Sequence, residues 1–537
     1  MKIHEEVPAN DLTNLTKSSL KGKSFQPDRA DELLAYAVFL LAFLFIRWVF
    51  FYFQGWGVSL YTALFVAVVL FYLRHKRKSI TGESWFWFAI LLFTALSFSL
   101  WPAQSVFGLR SLLLLGVAIY WVWTAADATL RGKTSDWLPL DLLYGIVYTP
   151  FKYFSAQYYS LAAAGKKQKK ITSEHLPIIL GVLLGAVIIS VVGPLLMRAD
   201  AGGFTALLRY LQPQLDRLGE IDTELLIQMI LSIPAAAYIF GLLTGSIYDR
   251  SYNLQIAEAS VNNLRKLPSD TVITLLLLLN ALYITFILSQ LPYLFSAFRG
   301  VVPPGWESYA EFARRGFFEL CVIAVINLLV LTGTHLGIEI TKRQSAATRV
   351  LNSLLAALTL VLIATAFSKL ALYISIFGLT VQRLLPGVLL IFLAIVFGGV
   401  IARQSLRFSI MRLAAFTGTT LLCLLFVINT DALVVNYNAN RYLSGTLTEF
   451  DTIVLYRSGT AGLGAALLLY EQSDDQQLRA ELDEYFDFIY WKSKADANTL
   501  RDTLQAALAR RQLEEHQRIF PSSSSQVPIE NTYDMQN

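Results

Sequence analysis

The sequence predicts an all-α, polytopic integral membrane protein with about eleven transmembrane helices and a small helical extracytoplasmic appendage at its C-terminus. Two observations carry this prediction. The chain has 537 residues, of which 55% are hydrophobic and 15% are charged, whereas a soluble domain contains about 25% charged residues. In addition, apolar segments long enough to cross a bilayer recur from residue 32 to residue 429. We therefore expect most of the chain to lie in lipid.

Each predicted span is an apolar segment of about the 20 residues that a helix needs to cross the hydrocarbon core. The spans cover 32–53, 56–73, 84–101, 107–127, 176–196, 225–247, 270–291, 316–339, 350–374, 384–401 and 412–429. Residues 1–31 are polar and are predicted to form a disordered cytoplasmic tail. The apolar segment after this tail is too long for a signal peptide and lacks a cleavage site of small residues, so we expect it to remain as the first span.

The positions of lysine and arginine predict the orientation, because cytoplasmic loops carry an excess of both residues. With a cytoplasmic N-terminus, basic residues fall mostly in the tail and in the cytoplasmic connections 74–78, 131–170 and 403–412. The outer connections hold few of them. The C-terminal region then lies outside the cytoplasm.

An aromatic segment at about residues 137–163 separates the fourth and fifth spans. Aromatic side chains from Trp137 to Tyr159 are typical of a helix that lies in the membrane interface. A basic cluster follows it and would contact anionic lipid headgroups. Its members are Lys166, Lys167, Lys169 and Lys170. We interpret this part of the chain as an interfacial anchor, and a site for one specific lipid is the alternative.

Residues 430–520 are predicted to form the helical extracytoplasmic region, because their apolar residues recur at helical spacing. One stripe holds Leu478, Leu482, Tyr485, Phe486 and Ile489, and a second holds Leu500, Leu504, Leu508 and Leu513. Residues 521–537 begin with a proline and four serines and are predicted to be a disordered tail.

Charged residues inside or beside the spans mark the candidate functional site, since intramembrane charges are costly and need partners. Our topology places several of them at the outer face. This predicted polar cluster comprises Arg47, Asp200, Glu311, Arg314, Arg315, Glu319, Lys369, Arg383 and Asp431. We expect Glu319 to pair with Arg315, Lys369 or Arg47. The alternative for Arg47 and Lys369 is that each extends to the interface on its own.

Signatures of catalysis and metal binding do not appear in the sequence. It has no glycine-rich phosphate loop, no GxSxG elbow and no metal motif, so we assign no catalytic residue, metal or cofactor. Two GxxxG patterns, Gly181–Gly185 and Gly241–Gly245, allow close helix contact. We interpret them as packing within the chain, and a homodimer interface stays the alternative.

Four stretches of the sequence have the character of motifs. They are Tyr309–Leu320, Pro194–Asp200 with Phe204, Tyr373 with Phe377–Thr380 and Arg383, and Asn429–Asp431 with Asn436, Asn438 and Arg441–Leu443. These stretches resemble the motifs of a bacterial multi-pass membrane family of unknown function, the domain-of-unknown-function 4153 / 4173 type. The resemblance covers roughly residues 180–470 and implies no known activity, substrate or cofactor. All four stretches fall at the outer face of the predicted topology.

We interpret the chain as a non-enzymatic sensor, scaffold or regulatory protein of the inner (plasma) membrane. A transporter of a small or lipidic solute and a membrane-embedded transferase are the alternatives. A transporter would be expected to carry polar or broken helices near the bilayer midplane. The partners that we expect are membrane lipids and an envelope or membrane protein, with a homodimer as a further option and no nucleic acid.

The predicted orientation can be tested with alkaline phosphatase, which is active only outside the cytoplasm. Because the basic residues place the C-terminal region outside, a fusion after Gln472 should be active, and a fusion near Lys167 should be inactive. The opposite pattern would overturn the predicted topology.

Overall fold

The computed structural model of the chain is helical and contains no β-strand within the residues that it describes. Those residues are 25–78, 80–102, 104–164, 223–249, 254–255, 257–258, 267–298, 317–337, 346–495, 497 and 499–519. The predicted all-α class is confirmed for this part of the chain.

The described α-helices are numbered in chain order. They are α1 (Arg29–Phe45), α2 (Trp56–His75), α3 (Ser84–Leu100), α4 (Phe107–Ala125), α5 (Leu138–Leu143), α6 (Thr149–Lys152), α7 (Ala156–Ala164), α8 (Thr223–Tyr248), α9 (Ser269–Phe298), α10 (Phe317–Gly337), α11 (Ala346–Phe377), α12 (Val381–Ala402), α13 (Ile410–Val427), α14 (Thr430–Leu443), α15 (Ile453–Ser458), α16 (Leu463–Gln472), α17 (Gln476–Ala495) and α18 (Leu504–Ile519). Two π-helical segments, Ile46–Phe50 and Tyr144–Tyr148, directly follow α1 and α5.

Ten of the eleven predicted spans coincide with apolar helices. Eight of these helices are long enough and apolar enough to cross a membrane, and the two that match 84–101 and 316–339 are shorter, Ser84–Leu100 and Phe318–Thr334. The remaining predicted span, 176–196, lies outside the described residues. A polytopic membrane protein is therefore the fold class of this chain.

A further segment, Ile453–Gln472, also has the length and composition of a span, although the sequence analysis assigns it to the appendage. A 3₁₀ turn at Gly459–Gly462 divides it into α15 and α16, and Gly459 has φ +54°. Its apolar side chains, such as Leu455, Leu463 and Leu469, are buried against α14, α17 and α18. The apolar side chains of this segment thus form part of the core of the C-terminal helical unit, which we call the cap (α14–α18).

The first bundle contains α1–α4 and α8, whose buried side chains form one apolar core. We call the end at which α1 begins, with Asp28, Lys76 and Tyr248, the near face. The opposite end, with the turns at 51–55 and 101–106, is the far face. The capping box of Asp28 and Asp31 starts α1, because each side chain accepts a hydrogen bond from the other residue's backbone N–H.

The predicted interfacial segment packs against α8. The hydroxyl of Tyr238 donates to the carbonyl of Ile146 (2.8 Å), and a Cβ at Gly241 would overlap the carbonyl oxygen of Pro150. A Cβ at Gly245 would overlap the side chain of Thr149. This GxxxG pattern therefore serves packing within the chain, whereas Gly181–Gly185 lies outside the described residues.

The second bundle contains α9–α12 around a separate apolar core. Its interior holds a chain of polar groups: Tyr283 donates to Asn327 (2.8 Å), and Asn327 donates to Thr359 (2.9 Å). Asn280 also donates to the carbonyl of Leu351 on α11 (3.2 Å). These amides join neighbouring helices, as expected for polar residues inside a membrane bundle.

Helix α13 joins the two bundles. Phe416 stacks on Phe86 of α3 with ring centroids 4.1 Å apart, while Gly418 faces Phe392 of α12. At the near face, Arg412 forms an ion pair with Glu83 (2.9 Å). Aromatic and small side chains on opposite faces of α13 thus let it fit between α3 and α12.

The close contact at Gly241 can be tested by a substitution that adds a methyl group at this position. Gly241→Ala should lower the free energy of unfolding by about 1–3 kcal/mol, because the methyl group would force apart α8 and the backbone at Pro150. Detergent-based unfolding titrations measure the change.

Gly116→Ala on α4 is the matched control, because nothing lies within 4 Å of the position that a Cβ would occupy there. That variant should be neutral or slightly more stable, since alanine favours helix by up to ~1 kcal/mol. Equal effects of the two substitutions would contradict the packing described here.

Candidate functional site

The far face holds a joint between the turn after α11 and the cap. Asn438 of α14 accepts a hydrogen bond from the N–H of Leu379 (2.7 Å) and donates to the carbonyl of the same residue (2.8 Å). Gly378 has φ +75°, and a Cβ there would lie 2.7 Å from the Asn438 amide oxygen. The Gly-Leu-Thr turn and the Asn-rich helix, two of the stretches noted in the sequence, are therefore direct partners.

Two arginines satisfy the carbonyl groups at the end of α11. Arg383 donates to the carbonyls of Phe377 (2.8 Å) and Gly378 (2.5 Å) and lies 4.3 Å from the ring centroid of Tyr373. Arg441 of the cap donates to the carbonyls of Ile374 (3.1 Å) and Ser375 (2.7 Å). Cations at a helix C-terminus also interact favourably with its dipole, so both arginines stabilise this end of α11.

A second joint, between α4 and the cap, contains a fully buried arginine that the sequence analysis did not single out. Arg110 is 0% exposed. It donates to the carbonyls of Ser97, Trp101 and Pro102 at 3.0–3.1 Å. It also interacts electrostatically with Asp431, which is 1% exposed at the start of α14. The sequence did contain a signal for this residue, because Arg110 lies three residues inside a predicted span. The sequence spacing could not show that Asp431 is its partner.

The cap also bonds to the first bundle through backbone groups. Trp56 donates to the carbonyl of Asp502 (3.2 Å), and Gly57 donates to that of Leu500 (2.8 Å). Gly55 has φ +77°, and a Cβ there would overlap the backbone of Arg501. The Arg501 guanidinium lies 3.3 Å from the ring centroid of Tyr52. Only glycine permits this approach of the two backbones.

The rest of the predicted polar cluster is divided between the bundles. Glu319 of α10 interacts electrostatically with Lys369 of α11, in the second bundle. Arg47 is exposed in the π-helical segment after α1, in the first bundle. The other members, Asp200, Glu311, Arg314 and Arg315, lie outside the described residues, as do the lysines Lys166, Lys167, Lys169 and Lys170. Pairing of Glu319 with a specific cation stays a prediction.

A family profile described as "Domain of unknown function (DUF4153)" matches residues 34–467, more than half of the chain. The chain belongs to this family. No curated protein and no solved structure matches it. The matched region of this DUF4153 member includes Asn438, Arg441 and Arg110 and ends inside the cap, at α16. It leaves out Leu500 and Asp502, whose carbonyls accept the bonds from Gly57 and Trp56.

The near face holds a buried charged cluster that the sequence analysis missed; we call it the near-face cluster (Asp28, Asp31, Tyr72, Lys76, Tyr248). Asp31 is 0% exposed. Its carboxylate accepts hydrogen bonds from Tyr72 (2.7 Å) and Tyr248 (2.8 Å) and contacts the Lys76 ammonium (2.9 Å). Lys76 also bonds to Asp28 and to the Tyr248 hydroxyl, at 2.7 Å each. The cluster thereby ties together the near ends of α1, α2 and α8.

Asp28 and Lys76 lie just outside the spanning helices, and each holds the other in its charged form. Burial would raise the pKa of Asp28, but the hydrogen bond from Lys76, the hydrogen bond from the backbone N–H of Asp31 and the charge of Lys76 together outweigh it, so the pKa falls below the ordinary 3.8. Burial would lower the pKa of Lys76, but its bonds to Asp28, Tyr248 and Asp31 raise it above the ordinary 10.5. Asp28 therefore contributes stability that is lost as the pH falls through its lowered pKa. The contribution of Lys76 is lost as the pH rises through its raised pKa.

These groups connect helices, and their geometry is that of structural joints. Every carboxylate and cation in the near-face cluster contacts another member of it. Among the described residues, no group of three or more histidine, cysteine or acidic side chains could hold a metal ion. At the far face, Asn438 and Arg441 bond the cap to the end of α11, and the backbone bonds of Trp56 and Gly57 hold the cap on the first bundle. Arg110 instead binds carbonyls of α3 and of the turn that follows it.

The near-face cluster predicts a large effect from one carboxylate. Asp31→Ala should lower the free energy of unfolding by about 3–5 kcal/mol, because it removes the acceptor of two tyrosine hydroxyls and one of the two carboxylates that balance the buried Lys76 ammonium. Unfolding in detergent by titration with a denaturing surfactant measures the change.

Glu32→Ala is the control, because this neighbouring acid lies on the same helical turn and is not a member of the cluster. Its effect should stay within about 0.5 kcal/mol. A loss at Asp31 as small as that at Glu32 would show that the cluster does not hold the helices together.

Proposed function

We propose that this DUF4153 member is a non-enzymatic scaffold or regulatory protein of the bacterial inner membrane, with a cytoplasmic N-terminus and the cap outside. One observation carries the proposal: the cap is bonded to both helix bundles at once. Backbone bonds at Trp56 and Gly57 hold it on the first bundle, and Asn438 and Arg441 hold it on the second. A unit fixed in this way presents its outer surface in one orientation, which suits the docking of another protein.

The arginines at the far face are engaged in bonds that hold the structure together. Arg383 and Arg441 donate to carbonyls at the end of α11, and Arg110 donates to three carbonyls near α3 and α4. Groups engaged in this way support a structural role for the far face. Recognition would then fall to surfaces of the cap that make no contact with the membrane domain.

Helix α17 offers the strongest such surface. Trp491 is 69% exposed and Phe488 is 36% exposed, three residues apart on one face of the helix. Lys492 lies 5.3 Å from the Phe488 ring centroid, and Lys494 lies 5.4 Å from that of Trp491. Exposed aromatic residues are enriched in protein interfaces and carry much of their binding energy. The two lysines favour an acidic surface on the partner.

A purification experiment tests this role. The tagged full-length protein, extracted from native membranes in mild detergent, should bring down one envelope or membrane protein in stoichiometric amount. The double variant Phe488→Ala, Trp491→Ala should reduce that amount at least tenfold, because removing two interface aromatic residues typically costs about 2 kcal/mol or more. Quantitative mass spectrometry of the eluates measures the ratio.

Trp85→Ala is the matched control, because Trp85 is 56% exposed but lies at the start of α3 in the membrane domain. It should leave the partner ratio unchanged. An equal loss in both variants, or full retention in the double variant, would overturn the role of the cap. Solute flux through proteoliposomes of the purified protein without any partner would instead support a transporter.

A further inference from the structure

A lateral groove runs between α1, α7 and α8 in the first bundle. Its volume is 490 Å³. Tyr36, Leu40 and Met229 line it with exposed fractions of 59%, 61% and 54%. Ala35 and Ser232, both 0% exposed, also line it. The small residues lie where α1 and α8 meet, and large apolar residues surround them. The result is a concave site that opens sideways from the bundle.

We propose that this groove binds one acyl chain of a bilayer phospholipid. The part of α1 that lines it, residues 35–43, is the middle of the candidate span Arg29–Phe50. At helical rise this places the groove within the hydrocarbon core of a bilayer. Water does not fill apolar cavities of this kind. The surrounding material that can enter from the side at this depth is the acyl chain of a lipid.

The size of the groove fits a single chain. A methylene group is about as large as a water molecule, whose share of liquid volume is ~30 Å³. The 490 Å³ of the groove therefore holds on the order of 15 such groups, close to one acyl chain.

Helix α7 forms the third wall of the groove. Gln157 donates to the carbonyl of Ala35 (3.1 Å) and so fixes α7 against α1. Leu161 of α7 lines the groove together with Phe39 and Phe43 of α1. Because phospholipids supply the acyl chains of the bilayer hydrocarbon core, the occupant is a phospholipid chain.

Photo-crosslinking in vesicles tests the site. The full-length protein is reconstituted into palmitoyl-oleoyl phosphatidylglycerol and phosphatidylethanolamine vesicles that contain a trace of phosphatidylglycerol with a diazirine in one acyl chain. Peptide mass spectrometry should find adducts concentrated on groove residues, above all Met229 and Leu40. Ser232→Phe, which places a ring at a fully buried lining position, should reduce these adducts at least fivefold.

Two further variants make the test decisive. Leu40→Ala should reduce labelling of Met229 about threefold through lost apolar contact. Leu33→Ala is the matched control, because Leu33 is 58% exposed on the same helix but does not line the groove. It should have no effect on labelling.

Each other outcome counts against the site. Equal labelling of Leu33 and Leu40, or labelling that Ser232→Phe and Leu40→Ala both leave unchanged, would mean that only exchanging annular lipid contacts this surface. Efficient labelling by a photoactivatable fatty acid in the presence of excess phospholipid would overturn the choice of a phospholipid. Leu40→Ala, at an exposed position, keeps the test valid if Ser232→Phe fails to fold.

Discussion

A polar group that is buried in a membrane-embedded bundle has to find its partner within the protein, because hydrocarbon offers none. This constraint is met at both ends of the first bundle. At the near face, the carboxylate of Asp31 receives two tyrosine hydroxyls and one ammonium group. At the far face, the guanidinium of Arg110 is directed at three backbone carbonyls and interacts electrostatically with Asp431 of the cap. The helices that carry these groups cannot separate without exposing them.

The same constraint explains why the cap is bonded firmly to the membrane domain and is not a loosely tethered unit. The last turn of α11 leaves carbonyl groups without helical partners, and Arg383 and Arg441 satisfy several of them. Asn438 pairs with both backbone groups of Leu379. A cap held by such bonds has one orientation relative to both bundles, and this is the property on which the proposed scaffold function rests.

Small residues decide where the helices and turns approach each other. Gly241 and Gly245 admit the backbone of the segment around Pro150, Gly55 admits that of Arg501, and Gly378 admits the side chain of Asn438. Ala35 and Ser232 have the opposite effect at the α1–α8 surface. There the small side chains leave space between the larger ones around them, and that space is the groove. One physical feature, the missing side-chain volume, thus produces close contacts in one place and a binding site in another.

The amino-acid sequence by itself determined the all-α polytopic class and the positions of ten apolar helices, because the length and hydropathy of a span are local properties. It also indicated Arg383, Asp431, Glu319 and Lys369 as residues with a polar role, since charges near a bilayer need partners. Hydropathy alone does not distinguish Ile453–Gln472 from a span, and only its packing shows that it forms part of the core of the cap.

The tertiary structure alone decided which charged side chains contact each other. Asp31, Lys76 and Tyr248 come from three helices separated by long stretches of chain, and no spacing rule relates them. Pairing across helices depends on which faces pack together, and that is set by side-chain shape over the whole bundle.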